Sequence, residues 1–296
     1  MESSVTGRMS KRMLAVADMV SRSREQDNKT YRVADIGCDH AFVSIYLMQH
    51  GIADKVIAMD VNPGPLEAAR KNIDRYLGAS EGAEIDIRLS DGFAGLKKGE
   101  TDAAVVAGMG GKLVISIIEG ADVFVPGYKL ILSPQSDVPE VRLYLLERGF
   151  KLMDEDMICE DGKYYNIICA EYVGTSQLSA DVDEDDIIHQ EDRESNEQPV
   201  VDVADAVYGE NSDATVHTVN IEDERLILIQ YGENLINKKN PVFREYLEKR
   251  KRSLGTIYDN LSQPCSPLVV TRREEIKREL GEIEFVLRKM SGGIGE

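Results

Sequence analysis

The residues best suited to chemistry sit at the ends of short apolar runs. Asp35-Ile36-Gly37-Cys38-Asp39-His40 closes the first of them. An Asp at a strand end, a Gly two residues on and a helix start make a small-ligand loop. The glycine lets backbone approach a ligand closely, and the helix start offers amide donors. The later glycines of a GxGxxG fingerprint are absent, and Asp39-His40 stand in their place. A pyrophosphate would meet two carboxylates here, whereas an ammonium or sulfonium group would be attracted. The charge pattern favours S-adenosylmethionine over a nicotinamide dinucleotide.

The second run ends at Asp60, 25 residues after Asp35. A carboxylate at that spacing can accept hydrogen bonds from both ribose hydroxyls. Ser90-Asp91-Gly92-Phe93 follows the third run. Asp91 can accept from an adenine amino group while Phe93 covers the ring, although a plain Asp-Gly turn explains the same residues. The fourth run leads into Gly108-Met109-Gly110-Gly111-Lys112. Turn chemistry needs one or two glycines, so three in four positions point to bare backbone at a ligand crevice. After the fifth run stands Ser133-Pro134-Gln135-Ser136-Asp137. Gln135 can read a base edge, and Ser136 or Asp137 suits a helix cap.

The elements that must position these loops alternate strand with helix. Strands are expected at 31–36, 55–60, 84–89, 102–107 and 128–133. Helices are expected at 41–50, from Pro65 to Tyr76, at 112–119 and at 138–148. This alternation predicts a parallel α/β sheet. Apolar runs at 150–159 and 163–173 flank Glu160-Asp161-Gly162-Lys163, and Asp-Gly between two such runs signals a hairpin. The sheet should therefore end in an antiparallel pair, which separates the methyltransferase variant of this architecture from the dehydrogenase variant.

Farther on, Phe243, Leu247, Leu254, Ile257 and Leu261 fall on a 4/3 spacing, with Arg250 in one seam position. Ile276, Leu280, Ile283, Leu287 and Met290 repeat it. Joined by a ten-residue connection with Pro264 and Pro267, they predict an antiparallel coiled-coil hairpin. The first helix carries Lys249-Arg250-Lys251-Arg252, which suits either a solvated helix surface or a phosphate-contacting patch.

The 296 residues, 42% of them hydrophobic, suffice for a substantial core, and the net charge is −18. The charge is uneven. Residues 176–220 hold 13 acidic residues and one basic residue, which accounts for −12 of the total. That stretch has no sustained period and reads as a disordered acidic insert or linker. The expected division is a catalytic unit over 1–174, the insert over 175–220 and a coiled-coil unit over 221–296. Four scattered Cys and four scattered His suggest neither a metal site nor a disulfide framework. The N-terminus lacks a long apolar run and no stretch suits a membrane span, so a cytoplasmic protein without a membrane partner is expected.

The strings DIGCDHAFVSIYL, MDVNPGPLEAARKNI, SDGFAGL, VVAGMGGKLVISII, LSPQSD and EDGKYYNIICAE together resemble the bacterial tRNA (adenine-22 N1)-methyltransferase family, TrmK. SKRMLAVADMV resembles that family's N-terminal helix. The likeness spans about residues 8–173 and resumes near 231–247. It implies a Rossmann-like class I methyltransferase sheet, S-adenosylmethionine as methyl donor and a C-terminal coiled coil that helps hold tRNA. Carried over by motif, the donor site comprises Asp35, Gly37, Asp39, His40, Asp60, Val61, Asp91, Gly92, Gly108 and Met109. Gly108, Gly110 and Gly111, with Pro134 and Gln135, would border the target base; Asp39 and His40 complete the candidate catalytic set, one or the other helping to position the donor or the base. Candidate tRNA contacts are Lys11, Arg12, Arg32, Lys112, Lys249, Arg250, Lys251 and Arg252.

The implied reaction suits these residues. N1 of neutral adenine keeps a lone pair and can attack the sulfonium methyl in line, without prior deprotonation. AGMGG occupies the place of the Asn/Asp-Pro-Pro-aromatic loop typical of amino-group methylation, which favours a ring nitrogen. A methyltransferase of a small molecule or protein, and a non-catalytic nucleotide-binding scaffold, are the alternative readings. Deleting 176–220 removes anionic charge without touching the catalytic motifs. The expected result in a filter-binding assay at low salt is unchanged or tighter tRNA binding, and clearly weakened binding would exclude a mere tether.

Overall fold

The computed structural model describes residues 4–24, 29–78, 84–174, 221–261 and 267–292. The acidic stretch 176–220 and Cys265 lie outside the described residues. The N-terminal half contains α1 (Lys11–Ser23), β1 (Arg32–Ile36), α2 (Phe42–Gln49), β2 (Lys55–Asp60), α3 (Pro63–Tyr76) and β3 (Ile85–Leu89). β4 (Ala103–Ala107), α4 (Gly111–Glu119), β5 (Lys129–Ser133) and α5 (Val138–Glu147) follow, then β6 (Phe150–Glu160) and β7 (Lys163–Tyr172). Helix α3 begins at Pro63, two residues ahead of the expected Pro65. Both prolines fall in a first turn, where the missing amide would lack a helical acceptor anyway.

The seven strands form one sheet in the order β3-β2-β1-β4-β5-β7-β6. The first five are mutually parallel, and β7 runs antiparallel to both β5 and β6. Burial explains why β7 lies inside and β6 at the edge. Ile167–Ala170 of β7 are buried, as a strand covered on both faces requires. β6 carries the partly exposed Asp154 and Asp156, and charge protects an edge from further pairing. One face of the sheet packs against α1, α2 and α3 through Val16, Met19, Ile45, Leu66 and Ile73. The other packs against α4 and α5 through Val114, Ile118, Val141 and Leu145. The parallel strands bring the loops after β1 to β5 to one rim.

The C-terminal segment contains α6 (Ile221–Tyr231), α7 (Glu233–Asn237), α8 (Pro241–Asn260) and α9 (Pro267–Ser291). Arg244 Nη1 donates to Ser291 Oγ at 3.3 Å, and Arg273 Nη1 donates to the Leu261 carbonyl at 2.7 Å. The last two helices are therefore antiparallel. Phe243, Leu247 and Leu254 are buried against Ile276, Ile283, Val286 and Met290. Ile257 departs from the expected seam and stays 39% exposed. The expected ten-residue connection is shorter, because α9 starts at Pro267. Arg250 is accommodated by two bonds to the Glu279 carboxylate, at 2.6 and 3.0 Å.

These helices close on the β6–β7 hairpin, since Met157 of β6 belongs to the same core. A buried ion pair fixes the contact: Arg142 of α5 donates from Nε to Glu155 Oε1 of β6 at 2.6 Å. Its Nη1 donates to the Gln230 carbonyl at the end of α6 at 2.8 Å. Gly232, with φ +90°, lets the chain pass: a Cβ there would come within 2.8 Å of Arg142 Nη2. A second, more exposed link joins Arg22 of α1 and Lys238 to Asp154, while Asn240 donates to Asp156.

Removing one partner of a buried pair strands the other charge away from water. Arg142→Ala is expected to lower stability by about 3–5 kcal/mol in urea unfolding. Arg142→Met combined with Glu155→Met should recover most of that loss. A small effect of Arg142→Ala would show that the pair carries no docking energy.

Candidate active site

The loop after β1 coils tightly. Gly37, Asp39 and Ala41 all have left-handed φ, at +74°, +49° and +57°. Such strain in non-glycine residues persists only where neighbours impose it. The Gly37 and Cys38 amides both donate to the Met59 carbonyl, at 2.8 and 2.9 Å, and the Ala41 amide donates to Cys38. These bonds hold the loop against the end of β2 and leave the donors expected at the helix start to the amides from Phe42 on. What the loop presents outward is Asp39 and His40, both exposed, with Nε2 and Oδ1 3.6 Å apart.

Asp35 lies beneath that loop, only 5% exposed, and accepts 2.6 Å from Ser44 Oγ of α2. Burial pushes its pKa up from 3.8 to about 6, opposed by hydrogen bonds from Ser44 and assisted by the nearby charge of Asp60. The carboxyl ties β1 to α2. Ser44 had no sequence signal of its own beyond its place on the first turn of α2.

Asp60 ends β2, where its Oδ1 accepts from the Asn62 amide at 2.8 Å. Val61 beside it is 58% exposed and Leu89, paired with Asp60, is 64% exposed. Asp91 is exposed ahead of a short 3-10 turn, Gly92–Gly95. Phe93 cannot cover an adenine ring as expected. It is buried in the core, edge-on to Phe124 with centroids 5.3 Å apart. Val61 and Leu89 are exposed apolar side chains on this rim.

The loops after β4 and β5 face the β1 loop. Met109 reaches across to Gly37, where a Cβ would come within 2.2 Å of its methyl carbon. The Met109 carbonyl accepts from the Gln135 amide at 2.8 Å, and the Gly108 amide donates to the Ser133 carbonyl at 3.2 Å. Gln135 is exposed, whereas Pro134 is buried. Ser133 Oγ is buried beside them with no partner among the described residues.

Gly111 has a packing reason to be glycine. A Cβ there would lie 2.4 Å from the Ser136 carbonyl oxygen. Ser136 Oγ accepts from the Gly111 amide and donates to Asp137 Oδ2, at 3.2 and 2.7 Å. The expected cap of α5 is thereby corrected. Ser136 serves the start of α4 instead, and Asp137 enters α5 in the left-handed region without a side-chain cap.

The candidate nucleic-acid contacts divide. Arg32 sits at the start of β1, the end of the strand away from the rim, and is held bidentately by Asp102 at 3.0 and 2.8 Å. Arg250 is held by Glu279 and Lys251 by Glu284, so these three charges are neutralised within the fold. Lys11, Lys112, Lys249 and Arg252 are exposed. Arg12 lies over the Tyr165 ring, 5.2 Å from its centroid, and next to Gly108. Among the described residues, no three His, Cys, Asp or Glu side chains group as metal ligands, and no helix is long and apolar enough to cross a membrane.

Residues 9–168, more than half of the chain, match the family model described as a methyltransferase domain. The chain belongs to the methyltransferase domain family. It is 33% identical over 165 residues to the tRNA (adenine(22)-N(1))-methyltransferase of Bacillus subtilis, covering 55% of this chain and 65% of that one. The alignment thus spans less than two thirds of the relative's length. The crystal structure of the B. subtilis M1A22 tRNA methyltransferase TrmK superposes with a TM-score of 0.66 at 24% identity, covering 94% of this chain and 98% of that one. M. capricolum TrmK in complex with S-adenosyl-homocysteine gives a TM-score of 0.64 at 21% identity, covering 95% and 99%. At these identities the structures show that the fold is shared, including the C-terminal helices.

Asp35 carries a pH prediction. Its raised pKa means that between about pH 4 and 6 the folded protein keeps a proton that the unfolded chain has released. Stability therefore falls as pH rises through that window and is flat above it as far as this group is concerned. Asp35→Asn should remove the fall, gaining on the order of 2–3 kcal/mol relative to wild type between pH 4.5 and 7. Urea unfolding at the two pH values reads the difference. A constant difference would show that Asp35 is already ionised at pH 4.5.

Proposed function

We propose that this chain is an S-adenosylmethionine-dependent methyltransferase that methylates N1 of the adenine at position 22 of tRNA. The observation that carries the reading is the charge of the crevice. Asp39, Asp60 and Asp91 present carboxylates at one rim, and none has a lysine or arginine partner among the described residues. Such a site attracts a sulfonium and repels a pyrophosphate. The resemblance to the B. subtilis enzyme supports the choice of tRNA as acceptor.

Residues 1–174 serve as the catalytic unit and 221–296 as the unit that helps hold RNA, with 175–220 as an insert. Asp60 would hold the donor's ribose hydroxyls, Val61 would flank its adenine, and Asp91 with Gly92 would border the base edge. Gly37, Gly108 and Met109 would line the approach to the donor's sulfonium, and Asp35 supports that loop from below. When bound, S-adenosylmethionine supplies an electrophilic methyl group that a neutral adenine N1 can take directly. The chain's own residues have mainly to position and to stabilise charge. Asp39 would offset the positive charge of N1-methyladenine, and His40, 3.6 Å from its carboxylate, would help position the donor or the base. Gly110 and Gln135 would border the acceptor, with Gly111 and the buried Pro134 fixing the loops behind them. N1 lies on the pairing edge, so the base must leave its stack to be reached.

The test uses purified protein, radiolabelled S-adenosylmethionine and unmodified tRNA transcripts, with the methyl group mapped by reverse-transcription stop. Label at adenine 22, lost when that base is changed, is the expected result. Asp39→Ala combined with His40→Ala should lower the rate by about 100-fold or more, as loss of charge stabilisation does. Donor binding without transfer to any transcript would remove tRNA as the acceptor.

A further inference from the structure

The β6–β7 hairpin extends past the rim of the sheet. β5 ends at Ser133, and Leu132 pairs with Ile168, so Lys163–Asn166 and their partners Met157–Glu160 project beyond β5. Four residues of strand span about 13 Å. The projection rises from the same rim as the candidate active site. Its adjacent tyrosines point to opposite faces, as the pleat requires.

Each tyrosine meets a cation. On one face Arg12 of α1 lies over the Tyr165 ring and beside Gly108 of the crevice. On the other, Lys249 of α8 lies 5.4 Å from the centre of the Tyr164 ring. Tyr164 also donates 2.9 Å to Glu245 and packs edge-on against Tyr246. Among the described residues, neither Arg12 nor Lys249 has a carboxylate partner, unlike Arg22, Arg24, Arg32 and Arg88. Of the two carboxylates at the hairpin tip, Glu160 accepts from the Lys11 amide, and Asp161 is exposed at the turn itself.

We propose that the hairpin tip is the RNA track between the crevice and the coiled coil, with Arg12, held by Tyr165, as the clamp on the phosphate of the extruded nucleotide. This rests on the function proposed above. Charge sorts the roles. A methylated N1 is cationic, so an unpaired guanidinium suits the phosphate, while Asp39 suits the base. Aromatic rings interleaved with unpaired cations are what single-stranded RNA requires, the cations for phosphates and the rings for bases. Tyr165 keeps the guanidinium in place without neutralising it, which a carboxylate partner would do. Tyr164 and Lys249 continue the track on the side of α8.

The test compares full-length wild type with Arg12→Ala, Arg12→Lys, Tyr165→Ala, Tyr165→Phe and Lys249→Ala. It measures methyl transfer to a tRNA transcript, S-adenosylmethionine affinity by calorimetry, and tRNA affinity across a salt series. Arg12→Ala and Tyr165→Ala are expected to lose about 10- to 100-fold in kcat/KM for tRNA, the range of one lost stacking or charged contact, with donor affinity unchanged. Tyr165→Phe keeps the ring and should stay near wild type, and Arg12→Lys should fall between. Lys249→Ala should flatten the slope of log affinity against log salt by about 0.7–0.9. Wild-type transfer by Arg12→Ala, or a parallel loss of donor affinity, overturns the clamp alone. A wild type that binds donor and methylates no transcript overturns the functional reading and the track with it.

Discussion

The antiparallel register of β7 against β5 governs how the rest of the molecule is assembled. Leu132 opposite Ile168 sets how far the hairpin stands above the rim. A two-residue slip would move Tyr165 and Tyr164 by about 6–7 Å relative to the crevice. A one-residue slip would exchange their faces and send Ile167 and Cys169 into the wrong core. The register is held from both sides, because Ile167 belongs to the core under α1 and Ile168 to the core under α5. Inserting β7 between β5 and β6 thus does more than complete the sheet. It gives the C-terminal helices a strand pair to close upon, and Met157 of β6 is buried in the core of those helices.

The buried pair of Arg142 and Glu155 turns that contact into a fixed orientation. Apolar packing alone tolerates sliding, whereas a guanidinium bound at once to Glu155 and to the Gln230 carbonyl at the end of α6 admits one arrangement. The same α5 begins at Val138, directly after Asp137 of the loop that presses on Gly111. One helix of ten residues therefore spans from the crevice to the base of the coiled coil. The distance between the crevice and the coiled coil is consequently set by rigid parts.

Much of this was legible in the sequence, for reasons that differ by residue. Parallel strands buried on both faces are continuous apolar runs, so β1, β2, β4 and β5 stand out with their loops. The Asp-Gly turn at 161–162 exposed the hairpin, and the 4/3 spacing exposed the two long helices. What stayed hidden depends on tertiary geometry. Gly111 looked like a ligand-facing glycine, but the Ser136 carbonyl is what leaves no room for a side chain. Phe93 looked like a lid for adenine because nothing local shows that it turns inward to Phe124. Arg32 and Arg250 looked like free charge because Asp102 and Glu279 are distant in sequence. Tyr164 and Tyr165 passed as ordinary strand residues, since only the register places them above the rim.

The net charge of −18 is compatible with binding RNA because of how the cations are sorted. A chain this acidic repels polyanions unless its unpaired cations share one surface. Arg22, Arg24, Arg88 and Arg142 hold elements together by pairing with carboxylates, and they contribute little field outside the fold. Arg12 and Lys249 are held by tyrosine rings, which orient a cation and leave its charge in place. The difference lies in the partner chosen, carboxylate or ring, and not in the number of basic residues. A crevice lined by Asp39, Asp60 and Asp91 next to a rim bearing Arg12 then presents two opposite fields over a short distance. On the proposed function, a cationic donor and a polyanionic acceptor would each be drawn to their own side of the place where they must meet.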